Sequence, residues 1–330
     1  MNRTWQENAL AVRIVHYTSN GLVYECRGDQ SVYAEDIPHA LPLEWIRSLP
    51  EGFAGLVRRS YSQWHELVKS YSARSLTFDE DKLPAIGGAA KKHAQLQEHS
   101  SGVKQKYHAG LWESSFAYDL LWQADHWAVG KAGASYQSAP VLNDSGCPSW
   151  SWASINGRVR YPEIDMDVMS SLIAFEEIVT YVPGLNPYGQ CTGGFVCLSG
   201  LVVEASLSCT GVDPLISFSY TLRPDGAYPP KNWVGMDADT VLENCTIYAA
   251  SGETEESIRR ASTVNVGTLE RAHGTVYCLL VCQNRKDEKI GAIVLAKSDT
   301  TTGTYTRIGQ SAFSDRWKDA KQQQMMLTII

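Results

Sequence analysis

The sequence predicts an α+β protein, a helical layer followed by an antiparallel β-sandwich or open β-barrel, and three observations predict it. Between Leu43 and about Gln123 apolar residues recur three and four apart. Beyond about residue 146 that period gives way to strand-length runs rich in β-branched and aromatic residues. Gly, Pro, Asn and Asp punctuate those runs. The expected division is a mainly helical region over 1–145, opened by an N-terminal hairpin, and a β-rich region over 146–330 packed with it as one unit. A chain of 330 residues, 44% hydrophobic and 20% charged, can bury a sizeable core in one large domain or two ordinary ones.

Taken in order, "RIVHY" and "LVYEC" are short strand-like pieces joined by "TSNG", which is hairpin chemistry. "LEWIRSL" and "FAGLVRRSYSQWHELVKSYSARSL" follow with helical spacing, as in Trp64, Leu67, Val68 and Tyr71. Asp79, Glu80 and Asp81 offer capping and dipole complement before a helix at "KLPAIGGAAKKHAQL". "GLWESSFAYDLLWQADHWAV" is expected to be helical, from Leu111, Phe116, Leu120 and Leu121. A Gly/Ser/Ala-rich connector follows, and "SWASINGRVRY" is expected to form a hairpin about Asn156-Gly157. "AFEEIVTYV", "GFVCLSGLVVEASLSC", "ISFSYTL", "VYCLLVCQ", "KIGAIVLAK" and "GTYTRIGQSAF" are strand-length, and "MLTII" is a closing strand.

Charge and composition exclude several functions. With 29 basic against 36 acidic residues the net charge is −7, and no basic run marks a nucleic-acid partner. The apolar runs are too short to span a bilayer, and the first residues lack a signal-peptide core, so the expectation is a soluble cytoplasmic protein without a membrane span. Eight scattered cysteines without CxxC pairs predict buried thiols and no metal site. No phosphate-binding glycine loop and no G-x-S-x-G elbow is present, which removes nucleotide binding and serine hydrolysis, and no cofactor is expected. The oligomeric state is not legible.

The aromatic inventory is the unusual feature. Ten tryptophans and sixteen tyrosines are present, and eight of the ten tryptophans lie at or before residue 152. In "CPSWSWAS", read as a strand, Trp150 and Trp152 share one face because the side-chain period is two. An indole-rich junction between a helical layer and a β layer is either plain core or the wall of an apolar pocket. Arg158, Arg160 and Tyr161 follow the expected turn, with both arginines on one face and Tyr161 on the other. His108 and His126 stand beside aromatic clusters.

Five ordered phrases, "RTWQENALAVRIVHY", "LVYEC", "YSARSLTFDEDKLPAIGGAA", "YHAGLWESSFAYDLLW" and "CPSWSWASINGRVRY", resemble the downstream portion of fungal heterokaryon-incompatibility (HET) proteins over about residues 3–161. The matching positions are Arg3, Trp5, Gln6 and Glu7, then Tyr107 and Ala109 through Trp112, then Pro148 through Ser154. The family phrase places a small aliphatic residue between its Trp and Gln, whereas Trp5 and Gln6 are adjacent here. The resemblance implies a TIR-like half upstream, in which any nucleotide-cleaving role of the family would sit, and the expectation is that this chain lacks it. A looser similarity runs to norbornene-forming terpenoid cyclases of the sordarin type.

The resulting expectation is a cofactor-independent cyclase or pericyclase of intramolecular Diels–Alder type, acting on an apolar terpenoid or polyketide in fungal secondary metabolism. Positioning and a fixed dipole supply most of what such a closure requires. The catalytic candidates are Arg158, Tyr161 and Glu7, and the substrate-binding candidates are Trp5, Tyr107, His108, Trp112, Trp150 and Trp152. The alternative is a non-enzymatic interaction or regulatory module of the heterokaryon-incompatibility type, which an exposed aromatic patch would favour.

Overall fold

A computed structural model describes residues 10–11, 13–18, 21–26, 31–35, 62–74, 76–125, 141–142, 144–162, 168–213, 217–224, 234–239, 275–298, 301 and 303–330. The fold is mixed α+β. Strands β1 (Arg13–Thr18), β2 (Gly21–Cys26) and β3 (Ser31–Glu35) form an antiparallel three-stranded sheet, with Thr18 facing Gly21 across the first connection. The expected hairpin is therefore present and extended by one strand.

Helix α1 (Ser62–Ser72) puts Trp64, Leu67, Val68 and Tyr71 on one buried face, the three-and-four spacing expected of a helix lying on a core. Helix α2 (Lys82–Ser101) follows a 3₁₀ turn at Asp79–Asp81 and stops at Gly102, whose left-handed φ of 70° suits a residue without Cβ. The acidic triplet does not cap by side chain. Asp79 instead accepts from Asn156 Nδ2 at 2.7 Å and from the Asp144 backbone N–H at 3.1 Å, tying the start of α2 to later chain.

Two sequence expectations are corrected between Tyr107 and Arg160. The segment read as a helix from 110 onward is strands β4 (Tyr107–His108) and β5 (Leu111–Trp112), a 3₁₀ turn at Glu113–Ser115 and a single turn of helix, α3 (Phe116–Asp119), before β6 (Gln123–Ala124). Ala109 and Gly110 stand between β4 and β5 with φ of 46° and 102°, a reversal that no helix continues through. Asn156-Gly157 does not close a hairpin either. β8 (Ile155–Asn156) pairs with β7 (Val141–Leu142), and β9 (Val159–Arg160) pairs with β6. Tertiary contacts decide this: Val159 N donates to Ser72 Oγ at 2.9 Å, and Ile155 and Val159 are fully buried.

The β-rich region is built on β12 (Gly194–Asp213), β13 (Ser217–Pro224), β14 (Val234–Ala238), β15 (Thr275–Asn284), β16 (Ile290–Lys297) and β17 (Thr304–Ser314). Antiparallel pairings run β12 to β13, β14, β17, β16, β15 and back to β12, so the sheet closes on itself. The N-terminal half of β12 pairs instead with β11 (Ile173–Thr180) and with β18 (Gln322–Ile329), while β10 (Met169–Ser171) adds to β15. Alternation along β15 separates two cores. Val276, Cys278 and Leu280 fill the barrel, and Tyr277, Leu279 and Val281 face the helical layer. β16 repeats the pattern with Ala292 and Val294 inward and Ile293 and Leu295 outward. A strand buried on both faces reads as an unbroken apolar run, which explains "VYCLLVC" and "GAIVLA". Among the described residues no helix is long and apolar enough to cross a membrane.

Candidate functional site

"CPSWSWAS" is not a strand. Ser151 has extended geometry and caps a 3₁₀ turn at Trp152–Ser154, its Oγ accepting from Ala153 N at 3.0 Å. The two indoles therefore part company. Trp150 packs on Phe116, with ring centroids 5.4 Å apart, and Trp152 meets Tyr71 edge-on at 6.1 Å. Trp152 Nε1 and Trp64 Nε1 both donate to the Gly110 carbonyl, at 3.0 and 2.9 Å, and Ser151 Oγ donates to the Ala109 carbonyl at 2.5 Å. A Cβ on Gly110 would lie 2.5 Å from Trp152 Nε1, so the turn and the indole fit only with glycine there. Ser149 Oγ donates to the Ile330 carbonyl and accepts from Arg307 N at 2.9 Å, which anchors the segment to the barrel and to β18.

The ring cluster above this lock contains Trp112, Tyr107, Trp64 and Tyr188. Tyr107 stands 4.9 Å from Trp112, 5.9 Å from Trp64 and 5.3 Å from Tyr188. Trp112, Trp150 and Trp152 are fully buried members of one apolar core that also takes in the outer face of β15 and β16. His93 lies among these rings, and burial lowers its pKa to about 4, which keeps the imidazole neutral.

A polar centre that spacing did not reveal sits on the helical side. Asp119, 1% exposed, accepts from His65 Nε2 at 2.7 Å through Oδ1, and from Trp112 N at 2.8 Å and Ser115 Oγ at 3.0 Å through Oδ2. Three donors hold the carboxylate, and His65 is oriented by it with its side chain 15% exposed. Nε2 faces Asp119, so Nδ1 is the nitrogen turned away from the carboxylate. The Tyr161 ring lies parallel on the His65 ring at 3.7 Å with 5° between planes. Tyr161 Oη is buried and has no hydrogen-bond partner among the described residues. Burial first and the Asp119 carboxylate second push its pKa well above the usual phenol value, so it stays a proton-bearing donor.

The remaining sequence candidates are placed as follows. Arg158 leaves this centre and pairs with Asp125 at 3.3 Å, while Arg160 pairs with Asp237 at 3.6 Å. His108 pairs with Glu113 at 3.2 Å, Lys106 takes the other oxygen of that carboxylate at 3.1 Å, and burial lowers the His108 pKa. Tyr107 Oη is buried without a partner among the described residues, like Tyr161 Oη. Trp5, Glu7 and His126 lie outside the described residues. The structure thus brings Tyr107 and Trp112 together, sets Trp150 and Trp152 in separate contacts, and joins Tyr161 to His65 and Asp119.

Arg307 was not singled out by sequence. From β17 it reaches across the layer junction, donating to Asp239 at 2.9 and 3.0 Å and to the carbonyls of Leu120 and Trp122 at 2.5 and 2.6 Å, with its guanidinium 3.6 Å above the Trp122 ring. Its "YTRIGQ" context carries no motif, because its partners are 68 and 185 to 187 residues distant. Among the described residues no group of three or more His, Cys, Asp or Glu side chains is arranged to hold a metal ion. Comparison with protein-family models, with curated proteins and with solved structures returns no match.

Proposed function

We propose that this chain is a cofactor-independent cyclase of the pericyclase type, closing an apolar terpenoid or polyketide by an intramolecular Diels–Alder reaction in fungal secondary metabolism, in the cytoplasm, on a scaffold of heterokaryon-incompatibility ancestry. The Tyr161 hydroxyl carries this reading. It is a buried, protonated donor without a partner among the described residues, on a ring fixed against His65, which Asp119 fixes in turn. A buried hydroxyl left unpaired costs about 1–3 kcal/mol, a cost that a substrate acceptor removes.

A Diels–Alder closure makes both carbon–carbon bonds from the substrate's own π electrons, with no atom or electron exchanged. The protein's task is to fold the chain and to withdraw electron density from the dienophile through a conjugated carbonyl. Tyr161 donates the hydrogen bond to that oxygen as its partial negative charge grows, and Tyr107 offers a second buried donor. His65 and Asp119 are positioning residues. Arg158, engaged by Asp125, passes the donor role to Tyr161. Trp112 and Trp150, packed in the core, hold Tyr107 and Phe116 in place, and Trp5 and Glu7 complete the candidate set.

A specific observation favours the second reading, an interaction or regulatory module. Tyr181 and Leu185, 54% and 104% exposed, present an apolar surface between β11 and β12. Thermal melting of wild type and Tyr161→Phe, titrated with apolar polycyclic terpenoids and polyketides, separates the two. The cyclase reading expects a saturable rise in Tm for wild type that weakens in the variant. No shift with any compound abandons it for the interaction reading.

A further inference from the structure

Outside the Tyr161 centre, Cys147 and Cys191 meet at the edge of the "CPSWSWAS" lock. Cys147 Sγ lies 3.7 Å from the Cys191 carbonyl oxygen, and Cys191 Sγ donates to the Gly193 carbonyl at 3.1 Å. Their backbones run side by side here: a Cβ on Gly146 would stand 3.4 Å from Thr192 Cα. Cys191 is 2% exposed, whereas Cys147 is half-buried and open to a small reagent. Both are free thiols.

We propose that Cys147 and Cys191 form a reversible disulfide, a redox-responsive staple between the segment carrying Trp150 and Trp152 and the chain entering β12. The Cys147 sulfur already lies against the Cys191 main chain on a neighbouring backbone, so the two sulfurs need little movement to bond, which is the geometric condition a disulfide imposes. The electrostatics agree. The neighbouring Cys147 first, then main-chain groups of Gly193 and Tyr181, lower the Cys191 pKa below the usual thiol value, while Cys147 holds its proton more tightly. Lys82, buried and donating to the Ile155 carbonyl, adds a positive charge near Cys147.

The oxidant is a hydroperoxide. Cys147, the more exposed thiol, gives up its proton as its sulfur attacks the terminal peroxide oxygen, the O–O bond breaks, and the alcohol leaves with that proton, giving a Cys147 sulfenic acid. Cys191 then attacks that sulfur, the S–S bond forms and water departs with the Cys191 proton. The two sulfurs lose two electrons in total, and the peroxide takes both. Cys278 and Cys282 serve as internal controls, since they are fully buried and burial pushes the Cys282 pKa up to about 12.

The test is oxidation of the folded full chain with tert-butyl hydroperoxide, blocking of free thiols with N-ethylmaleimide, and mass spectrometry of non-reduced peptides. The expected product is one peptide pair linking Cys147 to Cys191, two hydrogens lighter than the separate thiols and separated again by dithiothreitol. Cys147→Ser and Cys191→Ser each abolish it. Recovery of both cysteines unlinked, as thiols or as over-oxidised acids, overturns the proposal. So does linkage of either to another cysteine, or a link that forms only after denaturation.

Discussion

Tyr161 combines a ring fixed by stacking with a hydroxyl that has no partner among the described residues. Tyr161→Phe removes the unpaired hydroxyl and keeps the ring, so denaturant unfolding should show no loss of stability and a gain of up to about 1–3 kcal/mol. Gly110 is the opposite case. Gly110→Ala places a Cβ against Trp152 Nε1 at φ of 102°, and the same unfolding measurement should show a loss of about 3 kcal/mol. Legibility differs in the same way. Tyr161 was readable because it follows a glycine turn in a motif-like phrase, but His65 and Asp119 are 54 residues apart and meet only through packing. "SWSW" announced burial correctly. Its shared face was not there to be read, because the Ser151 side chain serves as a helix cap and ends the extended run.

At the scale of elements, the strands were legible wherever a run is buried on both faces or alternates cleanly, as β15 and β16 do. The segment after Tyr107 was not. Leu111, Phe116, Leu120 and Leu121 match a helical period, yet the reversal at Ala109-Gly110 and the donors gathered by Asp119 break it into short pieces. Asn156-Gly157 has hairpin chemistry, but its flanks are two residues each and each finds a better partner elsewhere. Arg307 joins β17 to the chain after α3. Arg307→Met removes the guanidinium's two bonds to the buried Asp239 carboxylate and its bonds to two buried carbonyls, so unfolding experiments should show a loss of about 3–5 kcal/mol.

The molecule as a whole has two cores sharing a wall, the barrel interior and the indole-rich junction, and the buried His93 packs in the second. His93 is neutral at pH 7 in both folded and unfolded chains. Its folded pKa of about 4 lies below the unfolded value of 6.5, so the unfolded chain takes up the proton first as pH falls. The contribution is complete above pH 6.5 and is lost toward pH 4, amounting to about 3 kcal/mol. Urea midpoints at pH 7 and 4.5 should therefore converge in His93→Phe relative to wild type. An unchanged pH difference in the variant would place the acid sensitivity elsewhere.

If the buried Tyr161 phenol accelerates a ring closure, as we propose, the rate of cyclisation of linear precursors will show it: terpenoids and polyketides bearing a diene and a conjugated carbonyl, followed by chromatography and mass spectrometry with buffer, wild type and Tyr161→Phe. Wild type should convert a precursor well above the buffer rate, and the variant, no less stable, about 10²-fold more slowly. Conversion at the buffer rate with wild type, or at equal rates with both proteins, would contradict it.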